Sequence, residues 1–276
     1  MWLSVLGPLY VRGQDGEVVI AAAKQRAVLA ALLVRANRVV SFDEFTHDVW
    51  DGAPPPGARA TLRNYVKSLR RLLGPEIGER IVTREPGYLI HLDEKELDML
   101  RLRALCARGG AAIRAADWRF ASEVLAEALG LWRGTPLADV PSETLRAQAA
   151  PPLDRLRLQA TEWRVDADLR LGRHADLVLE LQVLATEHPL RERFHEQLML
   201  ALYRSGRSAE ALAAFQQARQ MLADQLGADP GPDLRRLHER MLRSDAALAL
   251  SAAAGGGCSV RWAPRSRRPL RCVSRT

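Results

Sequence analysis

Between Asp51 and Glu76 the chain carries no acidic residue, and into that window fall Arg59, Arg63, Asn64, Lys67, Arg70 and Arg71. In a helix, Leu62, Val66, Leu69, Leu72 and Leu73 would form one inward-facing stripe, and the cations would project from the other sides. A helix over residues 58–73 is about 24 Å long. Its acid-free polar face suits the negative major groove of duplex DNA. There Arg or Lys can read guanine and Asn can pair with adenine, while the remaining cations neutralise phosphates and make binding salt-dependent. On an isolated helix a solvated basic face on a packed helix would be the favoured reading, so the neighbouring elements must decide.

Residues 2–20 read as short strands, 2–6, 9–11 and 18–20, with a turn at Gly13-Gln14-Asp15-Gly16. A helix follows over residues 22–35, with Val28, Leu29, Leu32 and Leu33 at helical spacing. Ser41-Phe42-Asp43-Glu44 is a capping box that opens a second helix through Trp50. Asp51-Gly52 ends it, and Pro54-Pro55-Pro56-Gly57 forms a stiff loop. The cationic helix comes third and is expected to stop at Gly74-Pro75. Residues 80–90 then read as a hairpin around Pro86-Gly87, with Arg84 near its tip. Sheet, three helices and hairpin, in that order, are what a winged helix requires, and this context favours the DNA reading.

From Leu97 onward the pattern is helical. Gly172, Leu177 and Leu181 match Gly206, Ala211 and Phe215 at an offset of 34 residues, and Ala116, Ala121 and Leu125 match less well. A Gly-Arg turn separates paired helices in the two better copies: 168–171 into 174–186, then 196–205 into 208–226. This resembles tetratricopeptide stacking; an ordinary helical bundle is the alternative. The fold class is therefore mostly α, with a small N-terminal β-sheet and a β-hairpin wing. A winged helix-turn-helix domain over 1–92 precedes a tetratricopeptide-like all-α domain over 93–250. Residues 251–276, Ala/Gly-rich and then basic, are expected to be a disordered tail.

The net charge of +7 is weak evidence for nucleic acid, because six arginines of the acid-free segment 251–276 supply most of it. Only three lysines accompany 37 arginines, which points to a GC-rich genome and makes arginine partly a codon effect. Cys106, Cys258 and Cys272 are widely spaced, so neither a disulfide framework nor a structural zinc site is expected, and Cys106 reads as a small buried hydrophobe. No apolar run is long enough to span a membrane and the N-terminus lacks a signal-peptide pattern, so a cytoplasmic protein is expected. The six histidines form no H-E-x-x-H, and P-loop and G-x-S-x-G motifs are absent. No catalytic residue, metal ligand or cofactor is assigned. Trp132-Arg133-Gly134 reads as a packing anchor and helix stop rather than a partner patch, and Glu187-His188-Pro189 as a cap or packed polar group rather than a reactive site.

The blocks Val5-Leu6-Gly7-Pro8-Leu9, Lys24-Gln25-Arg26-Ala27-Val28-Leu29 and Ala58-Arg59-Ala60-Thr61-Leu62-Arg63-Asn64-Tyr65-Val66 resemble the Streptomyces antibiotic regulatory protein family. So do Leu69-Arg70-Arg71-Leu72-Leu73-Gly74 and Pro86-Gly87-Tyr88-Leu89. Leu131-Trp132-Arg133-Gly134, Glu187-His188-Pro189-Leu190-Arg191-Glu192 and Leu226-Gly227-Ala228-Asp229-Pro230-Gly231 resemble that family's bacterial transcriptional activation domain, and the resemblance covers roughly residues 2–250. It implies an OmpR-type winged helix, binding to promoter direct repeats as a homodimer at least on DNA, recruitment of RNA polymerase, and activation of secondary-metabolite genes. It also implies that helix 58–73 is the recognition helix. Asn64, Lys67 and Ser68 would then lie nearest the bases, and Arg70 and Arg71 nearer phosphates. Arg59, Thr61 and Arg63 complete the helix's DNA-binding set, Arg84 comes from the wing, and the loop Pro54, Pro55, Pro56, Gly57 faces polymerase.

Two positions depart from the family pattern. Ser68 stands where a long basic residue is expected, and Glu85 beside Arg84 either weakens the wing's phosphate contact or pairs with Arg84 in the free protein. No receiver-like domain is expected before the winged helix and no ATPase module after it. The arginine-rich segment reads as a passive extension, with added nonspecific DNA affinity as the alternative. A protein-interaction scaffold with a non-functional winged helix remains the second reading of the whole chain.

Overall fold

The computed structural model describes residues 2–14 and 16–248. The arginine-rich segment 251–276 lies outside them. β1 (Trp2–Ser4) and β2 (Tyr10–Arg12) form an antiparallel pair with Leu3 opposite Val11. The third strand expected at 18–20 does not form. Only a bridge between Arg12 and Glu17 and a bond from Val18 N–H to the Val11 carbonyl extend the pairing, after which the chain leaves to bury Ile20.

α1 (Ala23–Val34) is buried along Ala27–Leu33 and forms the centre of the N-terminal core. β3 (Val40–Ser41) leads into α2 (Phe42–Trp50) through the full capping box: Glu44 N–H donates to Ser41 Oγ at 3.2 Å, and Ser41 N–H to Glu44 Oε2 at 2.8 Å. α3 (Ala58–Leu72) buries Leu62, Val66 and Leu69. Leu73 joins them, but Leu72 stays 42% exposed, against the expectation that both pack inward. Adjacent residues lie about 100° apart around the helix, so Leu72 falls at the solvent edge of the stripe, and the chain turns away directly afterwards. Gly74-Pro75 ends α3 as expected, yet it also opens a short helix, α4 (Gly74–Gly78), with the proline in its first turn.

β4 (Ile81–Arg84) and β5 (Gly87–Ile90) make the hairpin, and β3 adds to the far side of β5, giving the order β3-β5-β4. Gly87 serves this sheet by close approach, since a Cβ there would stand 1.8 Å from the Val40 carbonyl oxygen.

The helical half comprises α5 (Asp98–Arg114), α6 (Trp118–Leu129), α7 (Glu143–Arg170), α8 (His174–Glu187), α9 (Glu192–Arg204), α10 (Ser208–Leu226) and α11 (Pro232–Leu242). The segment read as 168–171 is the end of the 28-residue α7, and α9 starts at Glu192 rather than 196. One hydrogen-bonded stop ends α5, α7 and α9. The N–H of Asp117, Arg173 and Arg207 reaches back to the carbonyl of Ala112, Asp168 and Leu202. The residue before each donor is left-handed: Ala116 (φ 57°), Gly172 (φ 88°) and Gly206 (φ 77°). The weaker sequence match at Ala116 is thus the same turn made by a residue with a Cβ.

The hydrophobic core falls into two clusters. One runs without interruption from Leu3 through the winged helix, α5 and α6 into α7, and the other gathers the end of α7 with α8 to α11. Among the described residues no helix is long and apolar enough to cross a membrane.

Candidate nucleic-acid interface

α3 begins at Gly57, whose left-handed conformation (φ 78°) turns the chain from the fully exposed Pro54–Gly57 loop. The inward stripe seats the helix on α1 and α2, and Tyr65 stacks on Trp50 with ring centroids 6.4 Å apart. Outward, Arg59, Arg63, Asn64, Lys67 and Arg71 are exposed, while Thr61, Ser68 and Arg70 are half-buried.

These side chains divide by what they touch. Arg59 pairs with Asp43 at 2.9 Å and lies over the Phe42 ring, where Arg63 joins it at 5.7 Å from the centroid. Both partners of the Arg59–Asp43 pair are mostly solvated, so the pair is weak and open to exchange. Ser68 accepts from Gln25 Nε2 of α1 at 3.3 Å. Among the described residues Lys67 and Arg71 form no ion pair. With Arg70 they line an open groove of about 700 Å³ between α3, α4 and β4.

Arg70 is engaged differently. Its Nε and Nη2 donate to the Ile81 carbonyl at 2.9 and 2.6 Å, Nη2 also reaches Thr83 Oγ1 at 3.2 Å, and the guanidinium lies over the Tyr88 ring. Tyr88 in turn meets Phe42 and Phe45 edge-on. Arg84 and Glu85 are both exposed on the wing and form no ion pair among the described residues.

Sequence reasoning missed the groups that fix this face to the rest of the chain. Asp98 is buried at the start of α5 and accepts from the backbone N–H of Val5 (2.9 Å), Leu6 (3.0 Å) and Met99 (2.7 Å). Burial pushes its carboxyl above the ordinary value against the pull of those donors. Arg133 N–H donates to the Leu6 carbonyl at 2.8 Å, and a Cβ on Gly7 would come within 3.0 Å of Arg133 Cβ. Trp132 follows the end of α6 rather than sitting inside it, and Arg157 lies over its indole. On the far side Ser142 Oγ donates to the Asp48 carbonyl at 2.5 Å, and Thr144 N–H donates to Asp51 at 3.0 Å, which holds Asp51 below the usual carboxylate range. Buried Asp48 pairs with Arg35, which also bonds Gln148. The Val5–Leu9 and Leu131–Gly134 blocks carry no periodicity, so their meeting was invisible until both strands of the junction were placed.

Cys106 is buried and its thiol is pushed up to about 11. His188 caps α8 through its N–H to Leu184 and lies beside Phe194. Among the described residues no three His, Cys, Asp or Glu side chains gather as a metal site.

A winged helix followed by stacked helix pairs defines a class of transcriptional regulator. Residues 16–90 match the family model for the C-terminal domain of transcriptional regulatory proteins, and residues 97–242 match the bacterial transcriptional activator domain. The chain is 44% identical over 252 residues to the regulatory protein AfsR of Streptomyces coelicolor, covering 90% of this chain and 25% of that one. It is 34% identical over 253 residues to the regulatory protein DnrI of Streptomyces peucetius, covering 89% and 93% respectively. A solved structure of Mycobacterium tuberculosis EmbR in complex with a low affinity phosphopeptide superposes with a TM-score of 0.83 at 36% identity, covering 88% of this chain and 65% of that one. The chain belongs to the Streptomyces antibiotic regulatory protein family of transcriptional regulators. It spans about a quarter of the length of AfsR.

Proposed function

We propose that the protein is a sequence-specific DNA-binding activator that lays α3 in the major groove and sets the β4–β5 wing against the flanking backbone. The carrying observation is the outer face of α3, where exposed Asn64, Lys67 and Arg71 stand without an acidic partner among the described residues. Asn64 has the donor–acceptor pair that adenine's major-groove edge accepts, and Lys67 can reach guanine. Arg71, Arg63 and Arg84 neutralise phosphates. Arg59 joins them on exchanging Asp43, and Thr61 and Ser68 border the base-reading row, with Ser68 held by Gln25.

Membership of the family supports direct repeats in a promoter as the target, occupied by a homodimer at least on DNA. It supports RNA polymerase as the partner of the Pro54–Gly57 loop and secondary-metabolite genes as the regulated set. The domain division follows, with 1–92 supplying promoter affinity and 93–250 protein contacts, in the cytoplasm and without enzymatic chemistry.

The test is footprinting of promoters neighbouring the gene. The account expects protection of short repeats, and Asn64→Ala should relax sequence preference at a cost of about 1–3 kcal/mol. Retardation unaltered by Lys67→Ala plus Arg71→Ala would move the function to the helical repeats as a scaffold.

A further inference from the structure

We infer that Arg70 is a positioning residue that sets the wing against the recognition helix, and is not itself a phosphate contact. The inference rests on the DNA-binding reading above. The register of the hairpin shows how the brace is built. His91 N–H donates to the Arg80 carbonyl, so that pair is hydrogen-bonded. Antiparallel alternation then makes Ile81–Ile90 and Thr83–Tyr88 the non-hydrogen-bonded pairs, whose backbone groups on β4 point away from β5. β4 is the sheet edge, so the Ile81 carbonyl has no strand beyond it.

Arg70 fills that vacancy. Its fork places Nε and Nη2 on one carbonyl and Nη2 also on Thr83 Oγ1, a planar arrangement that lysine's single ammonium cannot reproduce. The backbone of Arg70 is held as well, because a Cβ on Gly78 would stand 2.1 Å from its carbonyl oxygen. The ring of Tyr88 beneath the guanidinium ties the contact to Phe42 and Phe45 at the start of α2. A charge-assisted bond to an edge carbonyl therefore joins the helix that reads bases to the strand that carries Arg84. Lys67 and Arg71, one turn and one residue away, are left to meet the nucleic acid.

The experiment measures binding of the full chain to its footprinted DNA across a salt series, with amide exchange of β4 in the free protein. Arg70→Ala is expected to weaken binding about tenfold with the salt slope unchanged, and to raise exchange across Ile81–Arg84. Arg70→Lys keeps the charge and is expected to lose affinity as Arg70→Ala does. Arg71→Ala should lower the slope by about 0.9, Lys67→Ala should relax sequence preference, and both should leave β4 exchange alone. A slope that falls by about 0.9 in Arg70→Ala, with recovery in Arg70→Lys and unaltered exchange, would overturn the brace. If the unsubstituted protein retains no DNA, the DNA reading fails, and exchange in Arg70→Ala and Arg70→Lys still decides whether Arg70 holds the wing.

Discussion

Among the basic side chains of α3, contact rather than charge separates the roles. Arg59 and Arg63 rest on Phe42, Arg70 is spent on β4, and Lys67 and Arg71 face outward unpaired among the described residues. The sequence shows five cations in an acid-free window but not which of them the protein uses on itself. That depends on an edge carbonyl 11 residues downstream. Ser68 is a similar case, because its partner Gln25 lies on another helix. A residue-scale consequence concerns Asp98. Replacing it with Asn keeps the shape but turns an N–H donor toward backbone donors, so Asp98→Asn should destabilise the fold by about 2–3 kcal/mol. Chemical denaturation checks this, and a loss below about 0.5 kcal/mol would contradict the role assigned to the carboxylate.

Elements were legible where a local rule sets them. The capping box fixes the start of α2, and Gly172 and Gly206 mark the repeat turns. The absence of a strand at 18–20, the short helix α4 and the outward Leu72 were not legible, because tertiary packing decides them. Two predictions belong here. Ala116 occupies the left-handed position that glycine holds in the other copies, at a steric cost of roughly 1 kcal/mol. Ala116→Gly should therefore raise stability by about 0.5–1 kcal/mol, seen as a higher melting temperature; a lower one would refute the shared turn. The second concerns Glu44, held below its ordinary value of 4.5 chiefly by the Ser41 N–H. A lowered folded value means the cap stabilises above the ordinary value and fades as pH falls through the folded one. Glu44→Ala should cost about 0.5–1 kcal/mol at neutral pH and nothing in acid. An equal cost at both pH values would rule out the ionised cap.

At the scale of the molecule, the winged helix and the first helices of the repeat half share one core, which passes into the second cluster within α7. The Val5–Leu6 amides on Asp98, Arg133 on Leu6, and Ser142 and Thr144 on α2 and its cap pin both sides of the junction. A fragment ending at residue 92 would expose Leu3, Val5 and Leu6 and leave their amides unpaired. It should unfold at lower denaturant than the full chain by circular dichroism, and an equally stable fragment would show that the junction adds nothing. The central claim is that α3 meets DNA through cations the protein leaves free. Its most direct test is the slope of log affinity against log salt on the footprinted promoter, for the unsubstituted chain and for Lys67→Ala plus Arg71→Ala. The account predicts a slope shallower by about 0.9 in the double variant, from the phosphate contact of Arg71, together with the loss of the base contact of Lys67 as weaker, less selective binding; identical slopes and affinities would contradict it.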